Sequence, residues 1–447
     1  MKRLAWSFAV VALVAAFSTA GYGKKDTPAG QIEYEEHVLD NGLRVILSED
    51  HSVPVVAVNV WYHVGSANEE KSRSGFAHLF EHMMFQGSEN VGKGDHMKLV
   101  ADAGGSMNGS TTEDRTNYYE TLPSNRLNLG LWLEADRMRS LAITEDNFEN
   151  QRETVKEERR QGIDNQPYGE AFLVSDTLGY DGWPYDHTVI GSMDDLNAAQ
   201  VSDVQAFFNR YYCPANAVLV VVGDIDPKKT LEMAKEYFGD IPAGQAATFP
   251  KWNEPFNKGE RRKTVDAPKA NVPALFTTYL VPPHDHPDSA ALQLLNSLLC
   301  DGESSRLHER MVKDEEAAFA VFGFVDGRLG PSQFRLITAS NAGVDISTCE
   351  MLMDEEIARL QKDGITPAEL EKVKTQFKST FIEGRQTVMS KAENIHHYIL
   401  YHNDLSVINT DLDRYLAVTA EDIQRVAQKY LRTDNRTMVV AAPPQSS

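Results

Sequence analysis

Twenty residues near the middle of this 447-residue chain return in altered form near its end. "DVQAFFNRYYCPANAVLVVV" begins at Asp203 and "DIQRVAQKYLRTDNRTMVVA" at Asp422. They align without a gap at an offset of 219. Asp203/Asp422, Gln205/Gln424, Tyr211/Tyr430, Asn216/Asn435, Val220/Val439 and Val221/Val440 are identical pairs. Each copy reads as an amphipathic helix running into a β-strand, and each closes one half of the chain. A chain this long exceeds what one hydrophobic core serves. Two similar domains of about 200 residues, made by duplication, are therefore expected.

Within the first half, "YEEHVLDNGLRVILSED" places Asn41-Gly42 between two strand-like runs, a hairpin signal. "VPVVAVNVWYHVG", Val53 to Gly65, reads as a third strand. Two more strands fall near Ser106 to Leu122, and two long helices near Asn125–Ser140 and Glu145–Gln161. The second half repeats the theme from about Arg261, with strands around Lys263–Asp266 and Ala274–Val281. Residues 244–260 are rich in Pro, Gly and Ala and read as a linker. The expected fold class is α+β: two homologous domains, residues 30–243 and 261–447, each a mainly antiparallel sheet with helices packed on one face.

Lys2 and Arg3 precede an apolar stretch, Leu4 to Phe17, and then the small residues of "STAGYG". That pattern predicts a signal peptide within residues 1–23, cleaved after Ala20 or Gly23. No later segment is long and apolar enough to span a bilayer, so no membrane anchor is expected after cleavage. The mature chain is expected to be exported, to a periplasm first of all and otherwise secreted. Cys213, Cys300 and Cys349 are too widely spaced for a zinc knuckle and are expected to be buried thiols. The net charge of −21 disfavours nucleic acid as a partner.

The run "FAHLFEHMMF", Phe76 to Phe85, carries the chemistry. On a helix, His82 lies roughly 40° to one side of His78 and Glu81 roughly 60° to the other. Phe76, Leu79, Phe80, Met83 and Met84 fall on the opposite face. Histidines four apart on a helix can hold one metal ion, although a solvent-facing stripe would show the same pattern. A third ligand is needed. The helix around Thr154–Arg160 offers Glu153, Glu157 and Glu158, and the residues alone do not choose among them. His396, His397 and His402 in "NIHHYILYHND" form another histidine cluster, read as a solvated or partner-facing surface. His187 is read as structural, near the site wall.

"HLFEH", with an acidic residue on a helix about 76 positions later, resembles the pitrilysin/insulinase/mitochondrial processing peptidase family of inverted-motif zinc peptidases. "GFAHLFEHMMFQGSEN", "GGSMNGSTTEDRTNYYETLP" and "SSRLHERMVKDEEAAF" are each similar to the family pattern. The resemblance covers nearly the whole chain and points to the half-size bacterial type. It implies one Zn²⁺ per chain, held by His78, His82 and Glu158, in a catalytic first domain. The family's acidic ligand lies three positions after an apolar residue, here Val155, which selects Glu158. The family often has an acidic residue where Gln151 stands, a departure in this chain. Glu81 is implied as the general base acting on a zinc-activated water, which makes the chain a zinc endopeptidase for peptides or unfolded polypeptides. The substrate is implied to add as a strand beside Asn108, Gly109, Ser110 and Thr111, Gly109 standing where alanine is common. Family members enclose peptides between two halves, the facing one supplying an Arg and a Tyr about seven apart. No Arg here has a Tyr at that spacing. A heterodimer with a motif-lacking relative is therefore expected, or a homodimer. The alternative is a non-catalytic or weakly active peptide-binding subunit.

Overall fold

The computed structural model describes residues 30–249, 252 and 259–443. The signal-peptide reading at residues 1–23 lies outside them, as does most of the second part of the linker reading. Six strands form the first sheet: β1 (Glu35–Val38), β2 (Arg44–Glu49), β3 (Val55–Tyr62), β4 (Ser106–Thr111), β5 (Thr116–Pro123) and β6 (Ala217–Gly223). Their order is β1-β2-β6-β3-β5-β4. Five form the second: β7 (Arg261–Asp266), β8 (Ala274–Val281), β9 (Ala318–Asp326), β10 (Ser332–Ser340) and β11 (Arg436–Ala442). Their order is β7-β11-β8-β10-β9. Among the described residues, only the β2–β6 and β7–β11 pairs are parallel. Removing β1 leaves the same topology twice, as duplication requires.

The repeated sequence accounts for the match. The helices Val201–Tyr211 and Ala420–Tyr430 precede β6 and β11, and both pairs of elements stand at the offset of the alignment. At the corner between helix and strand, Asn216 Nδ2 donates to Tyr211 O at 2.9 Å. Asn435 Nδ2 makes the same bond to Tyr430 O at 2.9 Å. Both asparagines are buried. An aliphatic residue there would leave a carbonyl unsatisfied, so the shared Asn has a packing reason. The Asn41-Gly42 hairpin joins β1 to β2, with Gly42 at φ +86°, a conformation that favours glycine.

Four helices between β3 and β6 frame the site: α1 (Phe76–Met83), α2 (Asp95–Asp102), α3 (Leu127–Ser140) and α4 (Glu145–Arg159). α1, α3 and α4 bury Leu79, Phe80, Leu131 and Phe148 with Val58, Val60, Leu219 and Val221 from one face of the sheet. The alternate residues Ile46, Ala57, Val218, Val220 and Val222 face the other way. They pack on Ala392 and Ile395 of the helix Val388–His397, which belongs to the second half of the sequence. Glu393 of that helix accepts from Asn59 Nδ2 at 2.7 Å and Asn117 Nδ2 at 3.0 Å. The exchange is reciprocal. Ala171 and Val174 of the helix Gly169–Thr177 pack on Phe276, Ile337 and Val439 of the second sheet. Each sheet thus carries its own helices on one face and one helix from the other half on the second face.

Within the linker reading, Trp252 stacks on Tyr185 with ring centroids 4.1 Å apart. The three cysteines are buried free thiols. No helix among the described residues is long and apolar enough to cross a membrane.

Candidate metal centre and active site

α1 starts at a left-handed glycine. Gly75 has φ +89°, and a Cβ there would meet Ile190 O at 2.9 Å. The first free amides of α1 are satisfied by a buried side chain from upstream. Glu69 accepts from Gly75 N at 3.0 Å and Ala77 N at 2.7 Å. A carboxylate at a helix N-terminus is favoured by both the amides and the helix dipole. Glu69 Oε2 is also 3.0 Å from His187 Nε2. His187 Nδ1 faces Trp183 O at 2.6 Å. Both ring nitrogens therefore face acceptors, which suits the imidazolium. Burial opposes that cation, but Glu69 and the carbonyls of Trp183 and Ser66 outweigh it and raise the His187 pKa. Burial raises the Glu69 carboxyl as well, against the pull of the three donors. The Trp183 indole stacks on the His187 ring at 4.0 Å. His187, read from sequence as structural, is thus part of the clamp that orients α1.

That clamp yields a stability prediction. Glu69→Ala strips two helix amides and leaves His187 with the more distant Asp186 carboxylate, 3.8 Å away, as its remaining counter-charge. A loss of about 3 kcal/mol is expected, since breaking a buried pair leaves a poorly compensated charge. Urea unfolding measures it, and a change below about 0.5 kcal/mol would show that Glu69 does not hold α1.

With α1 anchored, Phe76, Leu79, Phe80 and Met83 are buried. His78 and His82 project to one point with ring centroids 4.8 Å apart and planes 81° apart. α4 crosses beside them. Its buried stripe, Phe148, Gln151 and Val155, continues at the same spacing to Glu158. Glu158 Oε2 lies 3.2 Å from His82 Nε2 and 3.7 Å from His78 Nε2. Glu157 is turned to solvent, bonded to Arg160 at 3.1 Å and Gln161 at 2.8 Å. Glu153 is taken by Lys156 at 2.7 Å. Of the three carboxylates offered by sequence, only Glu158 joins the two histidines. Hydrogen bonding to His82 is the main cause that lowers the Glu158 pKa. Burial pushes His78 down to about 4, so its ring is neutral and able to ligate near neutral pH.

Glu81 sits between the histidines in sequence but outside their cluster in space. It is buried and accepts from Thr111 Oγ1 at 2.7 Å. Burial raises its carboxyl pKa. Thr111 ends β4, the outer strand of the sheet, which pairs only with β5. Asn108, Gly109, Ser110 and Thr111 therefore line a sheet edge beside the cluster. Arg115 Nη1 donates to Ser110 O at 2.8 Å and so uses one acceptor of that strand. A Cβ at Gly109 would lie 3.1 Å from the Tyr118 ring and 3.2 Å from Phe85, a tight fit for which a ring would have to shift by a few tenths of an ångström. Gln151 Nε2 donates to Asn150 Oδ1 at 2.8 Å. His78 Nδ1 is buried without a hydrogen-bond partner among the described residues.

The other histidine cluster is not the solvated surface the sequence suggested. His396 is buried, stacks on Trp61 at 4.9 Å and faces Asn59 O at 3.1 Å. The docking of its helix on the first sheet requires this. His397 and His402 turn to the other side and meet His284.

A doubled α+β fold with one inverted His-x-x-Glu-His helix is the architecture of a metallopeptidase family, and sequence comparison agrees. The family description Insulinase (Peptidase family M16) matches residues 44–182, and Peptidase M16 inactive domain matches residues 198–377. The zinc protease PqqE of Helicobacter pylori is 32% identical over 414 residues, covering 92% of this chain and 93% of that protein. The crystal structure of a protease from Helicobacter pylori superposes with a TM-score of 0.88 at 32% identity, covering 92% of this chain and all of that one. The periplasmic protease PqqL from Escherichia coli shares the fold, with a TM-score of 0.77 at 19% identity over 92% of this chain and 48% of that chain. The chain belongs to the insulinase family, peptidase family M16.

Proposed function

We propose that the chain is an exported zinc endopeptidase that hydrolyses peptides or unfolded polypeptides. The observation that carries this is the convergence of His78, His82 and Glu158 beside the buried carboxylate of Glu81. Two imidazoles and one carboxylate suit zinc, and ligand atoms 2.0–2.2 Å from a tetrahedral ion lie about 3.3 Å apart. The 3.2 and 3.7 Å separations of Glu158 from the two rings fit that donor set. Held by these residues, zinc would polarise a scissile carbonyl and acidify a water. Glu81 would serve as the general base, taking a proton from the attacking water and passing it to the leaving amine. Its raised pKa, caused by burial, brings it closer to the range where both transfers proceed. Thr111 holds the carboxylate in place and joins it to β4. A peptide adding to the β4 edge presents its backbone to the site, so side-chain preference is expected to be broad.

Export rests on the pattern of residues 1–23 and on the likeness to a periplasmic protease. Catalysis is assigned to the first domain, residues 30–243, and residues 261–447 are read as a second, homologous domain without the metal motif. The second reading, a peptide-binding subunit without turnover, is favoured by the inactive-domain match. That match begins at residue 198, beyond the motif, and so leaves residues 78–82 untouched.

One half-size chain offers no Arg–Tyr pair at the family spacing, so an assembly is proposed. The purified, zinc-loaded chain is expected to turn over a flexible quenched peptide weakly. Activity per chain is expected to rise with concentration or with an added motif-lacking relative. Full activity that is independent of concentration, from a monomer, overturns the assembly. No cleavage at any concentration, with or without the relative, overturns the peptidase reading in favour of the second.

A further inference from the structure

His284, His397 and His402 come from three places. His284 is in the loop after β8, where its amide donates to Arg328 O at 3.0 Å. His397 ends the helix Val388–His397, and His402 ends the π-helical turn Tyr398–His402. Each offers a ligand nitrogen, and the three lie within 4.8 Å of one another. His284 Nε2 and His397 Nε2 are 3.0 Å apart. The His284 ring stands at 87° to His397 and 85° to His402, with centroids 4.5 and 5.3 Å away. We propose that these three histidines form a second metal site, a three-imidazole site for a divalent transition ion such as zinc, distinct from the centre on α1.

A plainer account is a neutral histidine pair sharing one N–H···N bond. That bond serves His284 and His397 only. His402 Nε2 is buried and has no hydrogen-bond partner among the described residues. Leaving a buried donor or acceptor orphaned costs its full desolvation. An ion gives every ring a partner, and the 3.0 Å pair widens by a few tenths of an ångström to meet the spacing of a tetrahedral site. The backbone is shaped for the same end. Five residues apart, His397 and His402 would lie about 140° apart around an α-helix. A π-turn bonds residues five apart and so stacks His402 over His397. Asn403 then stops the turn at φ +49°, a left-handed conformation that asparagine tolerates. Burial keeps all three rings below the usual histidine range, His284 down to about 3, which leaves their lone pairs free.

Three imidazoles select zinc, copper(II) or nickel(II) over magnesium and calcium. The site opens on a cavity of about 530 Å³ lined by Trp61, Arg115, Glu393 and Tyr401, which leaves room for a fourth ligand. His284 is fixed to the second sheet, whereas His397 sits on the helix that covers the first. A bound ion would therefore brace the two halves against each other.

The test uses zinc sulfate and the full chain. His78→Gln/His82→Gln removes the first centre, so this variant isolates the second whatever the first one binds. After loading with zinc and dialysis, it is expected to retain about one zinc per chain by elemental analysis. Adding His402→Gln is expected to abolish that zinc, with an unchanged far-UV circular dichroism spectrum. Loaded with copper(II), the isolating variant is expected to show nitrogen hyperfine coupling in its electron paramagnetic resonance spectrum. Retention of no zinc by the folded isolating variant, or equal zinc after His402→Gln or His397→Gln, overturns the proposal. A rise in thermal midpoint with zinc that disappears in His402→Gln supports the bracing role.

Discussion

Glu81→Gln is expected to keep zinc at His78, His82 and Glu158 and to lose peptide turnover by about 10²–10⁴-fold, the range that general acid–base catalysis supplies. The expectation follows from where the side chain lies. Glu81 is outside the cluster of ligand atoms and is held by Thr111 Oγ1. Glutamine keeps the shape and can still accept that hydrogen bond. It cannot take a proton from water. The loss is expected in kcat, because the interaction is made in the transition state and not with bound peptide. Elemental analysis and turnover on one preparation check both halves. Zinc lost from a folded Glu81→Gln chain would make Glu81 a ligand instead.

Glu158→Gln carries the other large effect. It replaces the one anionic ligand of the proposed centre, whose loss is expected to weaken zinc binding by more than about 100-fold, beyond the cost of losing an outer-shell partner. Turnover is expected to fall with the metal. The neighbouring Glu157→Gln is the control. Its carboxylate bonds Arg160 and Gln161 on the solvent side, so no change in zinc and no measurable change in stability are expected. Competition with a chromogenic chelator gives both affinities. The reverse pattern would rotate the ligand by 100° around α4 and undo the site.

Much of this arrangement is legible in the residues because it is local. The helical stripe of α1 follows from the spacing of His78, Glu81 and His82 within one turn. The duplication follows from the repeat, since Asn216 and Asn435 turn the same corner in both halves. The residues alone leave the choice of Glu158 open, and the family resemblance makes it. The structure supplies a reason, since Gln151, Val155 and Glu158 share one face of α4. The rest depends on contacts between distant segments. Periodicity marks Ala392 and Ile395 as an apolar face, but does not say which sheet they cover. They cover the other half's, which buries His396 and reverses its surface reading. The partner of His397 is His284, 113 residues away, and no spacing rule reaches that far. Glu69 lies in a loop six residues before Gly75, and its role as clamp of α1 appears only when His187 is brought beside it.

On this proposal, the chain breaks peptide bonds with a zinc held by His78, His82 and Glu158. The most direct measurement is mass-spectrometric mapping of the products of one unstructured peptide in three states of the same preparation: zinc-loaded, chelator-stripped to no detectable metal, and zinc-restored. Internal cleavage in the first state, its loss in the second and its return with the same product pattern in the third are predicted, with Glu81→Gln silent throughout. Undiminished cleavage by the metal-free chain, or by Glu81→Gln, would contradict the claim.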